Sequence, residues 1–404
     1  MAAAGDERAA KRACTAATTA ARRCWSSMFP DDLLAVIYSM VASPRVRMRF
    51  AAVCRSWRAA ARAAPAVGLP WLLHCTLLRP WDSKASYHLH IPEDGANMGV
   101  PLPGTRRLVG CHDGGWVVSS APAPITIANI FSGVEMKLGE NQGNQHHDLD
   151  SVLKIVFSEP PTSGDCILAT ITNKRSIGLT RVGSTDCGWT MHRYSSGMVL
   201  GDIMFYKNEL YGLSKFRGEL VKFEIGSNND GAPVVIAEHR LAKSIAPTPN
   251  DIGRQNTSFI FDLEGKLAMA RIRWSQNLDT FFSVFQLVDI HTDEVKEGYK
   301  NKWVKVTSLG DNALFLGQMF SKAVRVPEIR HGGVERNHIY FFHHHRYDSS
   351  TFHTVYFAIL NESGHMDGGQ EKDMANDEVK RIRSTVYITN GGNHGGTWIL
   401  PPDV

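Results

Sequence analysis

From Trp71 onward the chain is cut into short β-prone runs by Gly, Asn, Asp and Pro, and this punctuation restricts the fold more than any other feature of the 404 residues. The runs fall at 116–119, 125–129, 153–157, 167–171, 201–206, 209–213, 220–225, 234–237, 258–261, 267–274, 281–287, 303–306, 313–316, 338–343, 354–359 and 385–389. Sixteen or more short strands separated by turns predict an all-β fold, not strands alternating with helices. A two-strand unit recurs. Ile203 to Leu213 reads as strand, Lys207-Asn208 turn, strand; Phe216 to Ile225 adds a turn and a strand; Ser258 to Met269 repeats the pattern around Glu264-Gly265. Successive meanders of this kind suit a β-propeller, whose radial repetition protects most strand edges. About 330 residues at roughly 40–50 per blade make six to eight blades. A large sandwich or several smaller β domains is the alternative.

The head of the chain is different. Between Phe29 and Ala61 the pattern is helical. Pro30 suits a first helical turn, where a missing N–H costs nothing, and Asp31 and Asp32 follow at the end where acids are favoured. Leu33, Leu34, Ile37, Met40 and Val41 recur at helical spacing. Ser43-Pro44 interrupts them, because a residue before proline is pushed out of the helical region. A second run from about Arg45 carries Phe50, Val53, Cys54 and Trp57 on its apolar face, with Arg47, Arg49, Arg55, Arg58 and Arg62 between them. Two or three helices in about 35 residues bury little core alone. They need each other, a partner or the following domain, and a helical cap on that domain is the plainest reading.

The residues themselves say more. Phe29-Pro30, the Asp-Asp-Leu-Leu that follows, Ile37 and above all Val53-Cys54-Arg55-Ser56-Trp57-Arg58 resemble the F-box. The resemblance implies binding to a Skp-type adaptor and, through it, to a cullin-based ubiquitin ligase. By position it implies that Pro30, Leu33, Leu34, Ile37, Val53, Cys54 and Trp57 are adaptor-binding or F-box core residues. Phe29 stands where the family usually has leucine, which implies weaker or slightly altered docking.

A second resemblance covers about Leu69 to Pro402. Leu69-Pro70-Trp71-Leu72-Leu73, Gly110 with Asp113-Gly114-Gly115-Trp116, Asn129 to Gly133, Lys154 to Ser158 and Phe205 with Leu210 to Leu213 carry it. Val284 to Leu287, Trp303 to Gly317, Asn337 to Phe341 and Trp398 with Pro401-Pro402 continue it in order, while the glycine-rich 390–396 stretch diverges. Together these resemble the C-terminal domain of a large family of plant F-box proteins, of β-propeller type. The resemblance implies a propeller and a substrate-receptor role, and names no substrate.

Charge divides along the same line. The formal net charge is +4, made of +7 over residues 1–68 and −3 over the remainder. No basic stripe runs through the β region, which argues against a nucleic-acid footprint there. The seven cysteines are odd in number, lie at Cys14, Cys24, Cys54, Cys75, Cys111, Cys166 and Cys187, and include no CxxC pair. They read as structural thiols of a reducing compartment, cytoplasmic and/or nuclear. No stretch approaches the ~18 consecutive apolar residues of a membrane span. The expected organisation is a disordered basic tail over 1–27, an all-α F-box head over 28–65 and a propeller-like domain over 69–402.

Catalytic and metal motifs are weak. His343-His344-His345 is the most obvious metal candidate, but adjacent strand residues face opposite ways and no further ligand is spaced to complete a zinc site. His88 and His90 share one face of a possible strand and read as an ordinary surface pair. Asp113-Gly114-Gly115 and Asp367-Gly368-Gly369 read as turns, without the run of acids a calcium loop needs. No nucleophile elbow, phosphate loop or HExxH is present. Trp81, Tyr87, Trp189, Tyr194 and Trp274 are candidates for an exposed receptor surface, or for blade packing. The expectation is a non-catalytic subunit without cofactor or metal. It binds adaptor through the head and a protein substrate through the β domain, with no nucleic-acid or membrane partner. A scaffold that ubiquitinates nothing, or a propeller enzyme with an incidental helical head, are the alternatives.

Overall fold

The computed structural model describes residues 29–41, 43–63, 68–77, 85–92, 95–103, 107–120, 125–138, 152–173, 175–183, 188–194, 198–215, 217–243, 245, 256–274, 280–290, 299–326, 334–344, 382–389 and 396–402. The expected tail, the 354–359 run, Trp81, His345, Cys14, Cys24, Cys187, Asp367 to Gly369 and 390–395 lie outside the described residues. So do the side chains of Cys75, Trp274, His343 and His344. The chain separates into two compact units. One comprises Leu69–Val326 with Val334–Pro402; the other holds the helical head. Among the described residues no helix is long and apolar enough to cross a membrane.

Among the described residues the head has three helices, α1 (Asp31–Met40), α2 (Pro44–Val53) and α3 (Arg55–Ala63). Pro30 sits at the N-cap of α1, one place before the first helical turn, and its carbonyl accepts from Leu33 and Leu34 at 3.0 and 3.1 Å. Asp31 and Asp32 occupy the first turn, where the helix dipole favours acids. Ser43 is extended and Pro44 opens α2, as the pre-proline restriction requires. The second apolar run is two helices, not one. Cys54 is fully extended and breaks the run, which turns Val53 outward and lets Trp57 fold back on Phe50, ring centroids 4.3 Å apart. Leu34, Tyr38, Phe50, Ala51, Ala60 and Ala61 form the small core. Two arginines tie the helix ends. Arg47 Nε donates to the Val41 carbonyl at 2.7 Å and Arg58 Nε to the Ala51 carbonyl at 3.1 Å, each satisfying an acceptor that the helix leaves open.

The larger unit is built of strands. The first three are β1 (Trp71–Leu77), β2 (Ala85–Ile91) and β3 (Ala96–Pro103). A meander follows of β4 (Arg107–His112), β5 (Trp116–Ser120), β6 (Thr126–Asn129) and β7 (Glu135–Lys137). The next meander is β8 (Val152–Phe157), β9 (Ile167–Thr172), β10 (Ser176–Arg181) and β11 (Thr190–Arg193). Then come β12 (Leu200–Tyr206), β13 (Glu209–Ser214), β14 (Leu220–Ser227) and β15 (Pro233–Ala242). A fifth group is β16 (Asn256–Leu263), β17 (Lys266–Trp274), β18 (Thr280–Asp289) and β19 (Asn301–Val306). The last holds β20 (Asn312–Leu316), β21 (Ser321–Arg325), β22 (His338–His344) and β23 (Arg383–Thr389), and β24 (Thr397–Ile399) returns to pair with β1. Among the described residues there are thus six four-stranded groups. Neighbouring groups touch by single parallel bridges, Gly110↔Ile155 and Ala242↔Asn301.

The innermost strands stand side by side in the order β24, β4, β8, β12, β16, β21, which is the arrangement of propeller blades. Closure is made by the C-terminal strand. Leu72 pairs with Trp398 across β1 and β24, and the fully buried indole donates from Nε1 to the Leu316 carbonyl at 2.9 Å and packs edge-on against Phe315. The first blade is therefore completed by residues from both ends of the domain, with β24 as its inner edge strand. Cys111 of β4 adds a third tie, lying 3.4 Å from the Met319 carbonyl, 3.6 Å from the Trp398 carbonyl and 3.5 Å from Thr397 Oγ1. Burial pushes its thiol up to about 12. It is a structural thiol, far from the thiolate that nucleophilic or metal chemistry requires.

Two glycines show why the blade signature contains them. At Gly110, where β4 approaches β8, a Cβ would stand 2.3 Å from the Ile155 carbonyl oxygen. At Gly115, with φ +85°, a Cβ would overlap the Phe131 ring. The sixth group departs from the expected meander. β20 pairs antiparallel with β21, but on its other side lies β22, parallel, and β23 is parallel to β22. Parallel neighbours require crossover connections rather than hairpins.

Candidate functional site

The head presents one candidate surface. Leu34 is buried in the three-helix core, with Ile37 and Trp57 partly buried against it. Cys54 is half-buried in the break, and Pro30 is exposed. Leu33 and Val53 point away from that core and are exposed. Leu33 shares its stripe with Val36 and Met40, three and seven positions on, and Val46 and Val53 are likewise seven apart. Met40 and Val53 are 67% and 59% exposed, large values for apolar side chains when the small core beside them is already filled. Asp31 and Asp32 lie at the start of the α1 stripe, and the charge of the two following helices is of one sign. From Arg45 to Arg62 six arginines occur without an acid. Contiguous exposed apolar side chains with a polar rim mark interaction surfaces.

The β domain presents a second candidate, built where first-hairpin turns meet. Lys207 and Asn208 both have positive φ, as do Glu264 and Gly265, which is the geometry of two-residue hairpin turns. These two turns touch. Tyr206 Oη donates to the Gly265 carbonyl, and Lys207 Nζ reaches the same oxygen at 3.4 Å. Beyond Glu264 lies the start of β20. Buried Asn312 donates from Nδ2 to Glu264 Oε1 at 2.8 Å and to the Leu309 carbonyl at 3.0 Å. Lys322 of β21 reaches across to Asp113 in the β4–β5 turn.

Between the β16–β17 turn and the β20–β21 hairpin opens a cleft of about 510 Å³. Its walls carry Asp262, Glu264 and Asp311, with Asn312, Lys322 and Arg325. The volume lies in the range of ligand pockets, but the lining is charged where small-molecule pockets are mainly apolar.

Deeper in the domain a buried ion pair joins three blades. Lys154 Nζ of β8 lies 2.5 Å from Asp202 Oδ1 of β12, and Asp202 also accepts from the backbone N–H of Ile203 at 2.9 Å and of Ile260, on β16, at 3.0 Å. Burial pushes the Asp202 carboxyl upward, while Lys154 and the two N–H donors oppose that shift. Both side chains are almost wholly buried, so the pair is part of the framework.

The histidines whose side chains are described do not include the 343–345 triplet. His74 of β1 is buried, stacks on its cross-strand partner His88 at 5.9 Å, and is held well below its ordinary value, at about 4, by burial and then by the nearby His88 and His90. His88 faces Ser86 Oγ at 2.9 Å and His90 faces Asn97 Oδ1 at 3.1 Å. Among the described residues no three His, Cys, Asp or Glu side chains gather closely enough to hold a metal. Tyr87, Trp189 and Tyr194 are buried blade-packing residues and do not form a receptor face. The cleft was not signalled by any contiguous motif, because its walls come from two hairpins about 50 residues apart.

The blade order, the closing β24 strand and a match of the KIB1-4 beta-propeller family model to residues 77–368 agree. The chain belongs to the KIB1-4 β-propeller family. The match lies within the β domain. Solved structures similar to the chain include the β-propeller domain of Cps50 (Swd1) from Myceliophteria thermophila, at 8% identity and TM-score 0.32, covering 58% of this chain and 71% of that one. Regucalcin, a calcium-binding protein from Agrobacterium tumefaciens, matches at 15% identity and TM-score 0.30, covering 59% and 78%. The fission yeast SREBP–SCAP binding domains match at 10% identity and TM-score 0.28, covering 60% and 87%. No curated protein sequence matches the chain.

Proposed function

We propose that this member of the KIB1-4 β-propeller family is the substrate-receptor subunit of a Skp–cullin–F-box ubiquitin ligase. The observation that carries the reading is the apolar stripe of Leu33, Val36 and Met40, exposed beside a head core already filled by Leu34, Tyr38 and Phe50. Such a stripe asks for an external partner. The Val53-Cys54-Arg55-Ser56-Trp57-Arg58 sequence, which resembles the F-box ending, supports a Skp-type adaptor as that partner. The cysteines, none in a CxxC pair, fit a reducing compartment, cytoplasmic and/or nuclear. In this role the chain does no covalent chemistry. It holds a protein substrate near a ubiquitin-conjugating enzyme supplied by the complex, and rate follows from proximity.

The test is capture of adaptor and cullin by the full chain. Expected is co-purification with the intact protein and its loss in a Leu33→Asp/Val53→Asp variant that still folds. Failure of the intact chain to capture adaptor removes the F-box assignment. Adaptor capture with no protein accumulating when the chain is depleted favours a scaffold without ubiquitination.

A further inference from the structure

We infer that the 510 Å³ cleft between the β16–β17 turn and the β20–β21 hairpin is a recognition pocket for a peptide segment in which a lysine or arginine lies close to an acidic residue. The argument begins with which charges in the cleft are already matched. Lys322 is paired with Asp113, and Asp311 is met by Arg325 at 3.5 Å and Arg336 at 3.1 Å. Asp262 and Glu264 have no ion-pair partner within 4 Å among the described residues, and the exposed Lys207 of the neighbouring turn acts on Asp262 only at longer range.

Both carboxylates are held in place. Asp262 Oδ1 accepts from the Gly265 N–H at 2.7 Å, and Glu264 Oε1 accepts from Asn312, which is only 6% exposed. Each keeps a second oxygen for a ligand. A positioned carboxylate pair with free oxygens on one wall selects a primary ammonium or guanidinium, by charge-assisted hydrogen bonds. On the opposite wall Arg325 is largely exposed, and its single contact to Asp311 is long. Because Arg336 also holds Asp311, Arg325 can turn to an incoming carboxylate and leave Asp311 paired. The cleft is therefore polarised, anionic on the β16–β17 side and cationic on the β21 side. A ligand of matching polarity satisfies both walls, and one of single sign leaves a wall unmatched. That the ligand is a peptide rests on the receptor reading.

The experiment uses the full chain and labelled, end-blocked Gly/Ser peptides carrying one lysine and one glutamate separated by zero to three residues. Companion peptides have the lysine or the glutamate replaced by glutamine. Saturable anisotropy binding is expected for at least one Lys/Glu spacing. It should weaken at least tenfold with either glutamine replacement and in Asp262→Asn/Glu264→Gln and Arg325→Gln variants of unchanged melting temperature. Absence of saturable binding at millimolar peptide, equal binding of charged and neutralised peptides, or binding unaffected by the variants overturns the proposal. Adaptor capture is measured on the same preparations. Peptide binding without adaptor capture removes the F-box reading and leaves the pocket standing; adaptor capture without peptide binding does the reverse.

Discussion

Lys154 and Asp202 lie 48 residues apart in sequence and 2.5 Å apart in the fold, a buried charge pair at the meeting of three blades. Asp202 takes two backbone N–H bonds as well, one from the next blade, so it registers β12 against β16 while the lysine registers β8 against β12. Removing either partner leaves an uncompensated buried charge, and about 3–5 kcal/mol is expected to be lost in Lys154→Met or Asp202→Leu. The Lys154→Met/Asp202→Leu double variant should recover only part of that loss, because no buried charge is left unpaired but the Ile203 and Ile260 N–H groups lose their acceptor. Denaturant unfolding of the four proteins measures the cycle. A double variant as unstable as the sum of the singles would mean that the pair is not coupled.

The closure of the ring makes a second prediction. Trp398 fills the space between the first and sixth blades and satisfies the Leu316 carbonyl. Trp398→Ala should cost about 3–5 kcal/mol through the cavity it opens. Trp398→Phe keeps much of the packing but leaves the carbonyl without its donor, and about 1–3 kcal/mol is expected. Calorimetric melting of the three proteins should rank them wild type, Phe, Ala.

Trp398 and the prolines after it carry the closing strand only through the family resemblance, not through a local strand pattern. The Lys207-Asn208 and Glu264-Gly265 turns and the inner strands β8, β12 and β16 are legible in the sequence, because turn chemistry and apolar runs are local properties. β1, β3, β4 and β21 carry no marked strand pattern, and β2 shows only as a possible strand around His88 and His90. His88 and His90 alternate with buried Leu89 and Ile91, and Gly99 and Pro101 interrupt β3, so the apolar signal is thin. The break at Cys54 was missed because helical spacing runs through it without proline or glycine. The parallel β20–β22–β23 order, the Lys154–Asp202 pair and the cleft were hidden for another reason. Each depends on residues far apart in the chain, which no local pattern reports.

His74 supplies a pH dependence whose sign follows from burial. Its value falls from 6.5 to about 4 in the fold, so between those two pH values the unfolded chain binds more protons than the native one. The stabilising effect of a neutral His74 is therefore complete above pH about 6.5 and is lost as pH falls toward about 4, by about 3 kcal/mol in all. His74→Leu should flatten the stability–pH profile across that window. Equilibrium unfolding at stepped pH checks it, and an unchanged slope would place the titration elsewhere.

Folding of the head and the docking proposed for it can be measured separately. Leu34 is fully buried and Leu33, its neighbour, points outward on the same helix. Leu34→Ala removes core packing, so the head should lose about 2–5 kcal/mol and its helical signal should melt earlier. Leu33→Asp adds a charge to a surface already in water, so melting should shift by no more than about 0.5 kcal/mol. An apolar partner surface, however, would have to bury that charge, and adaptor affinity should fall at least tenfold. Parallel melting and adaptor titration of the two variants distinguish the cases: Leu33→Asp with normal melting and normal adaptor affinity would place the docking surface away from the α1 stripe.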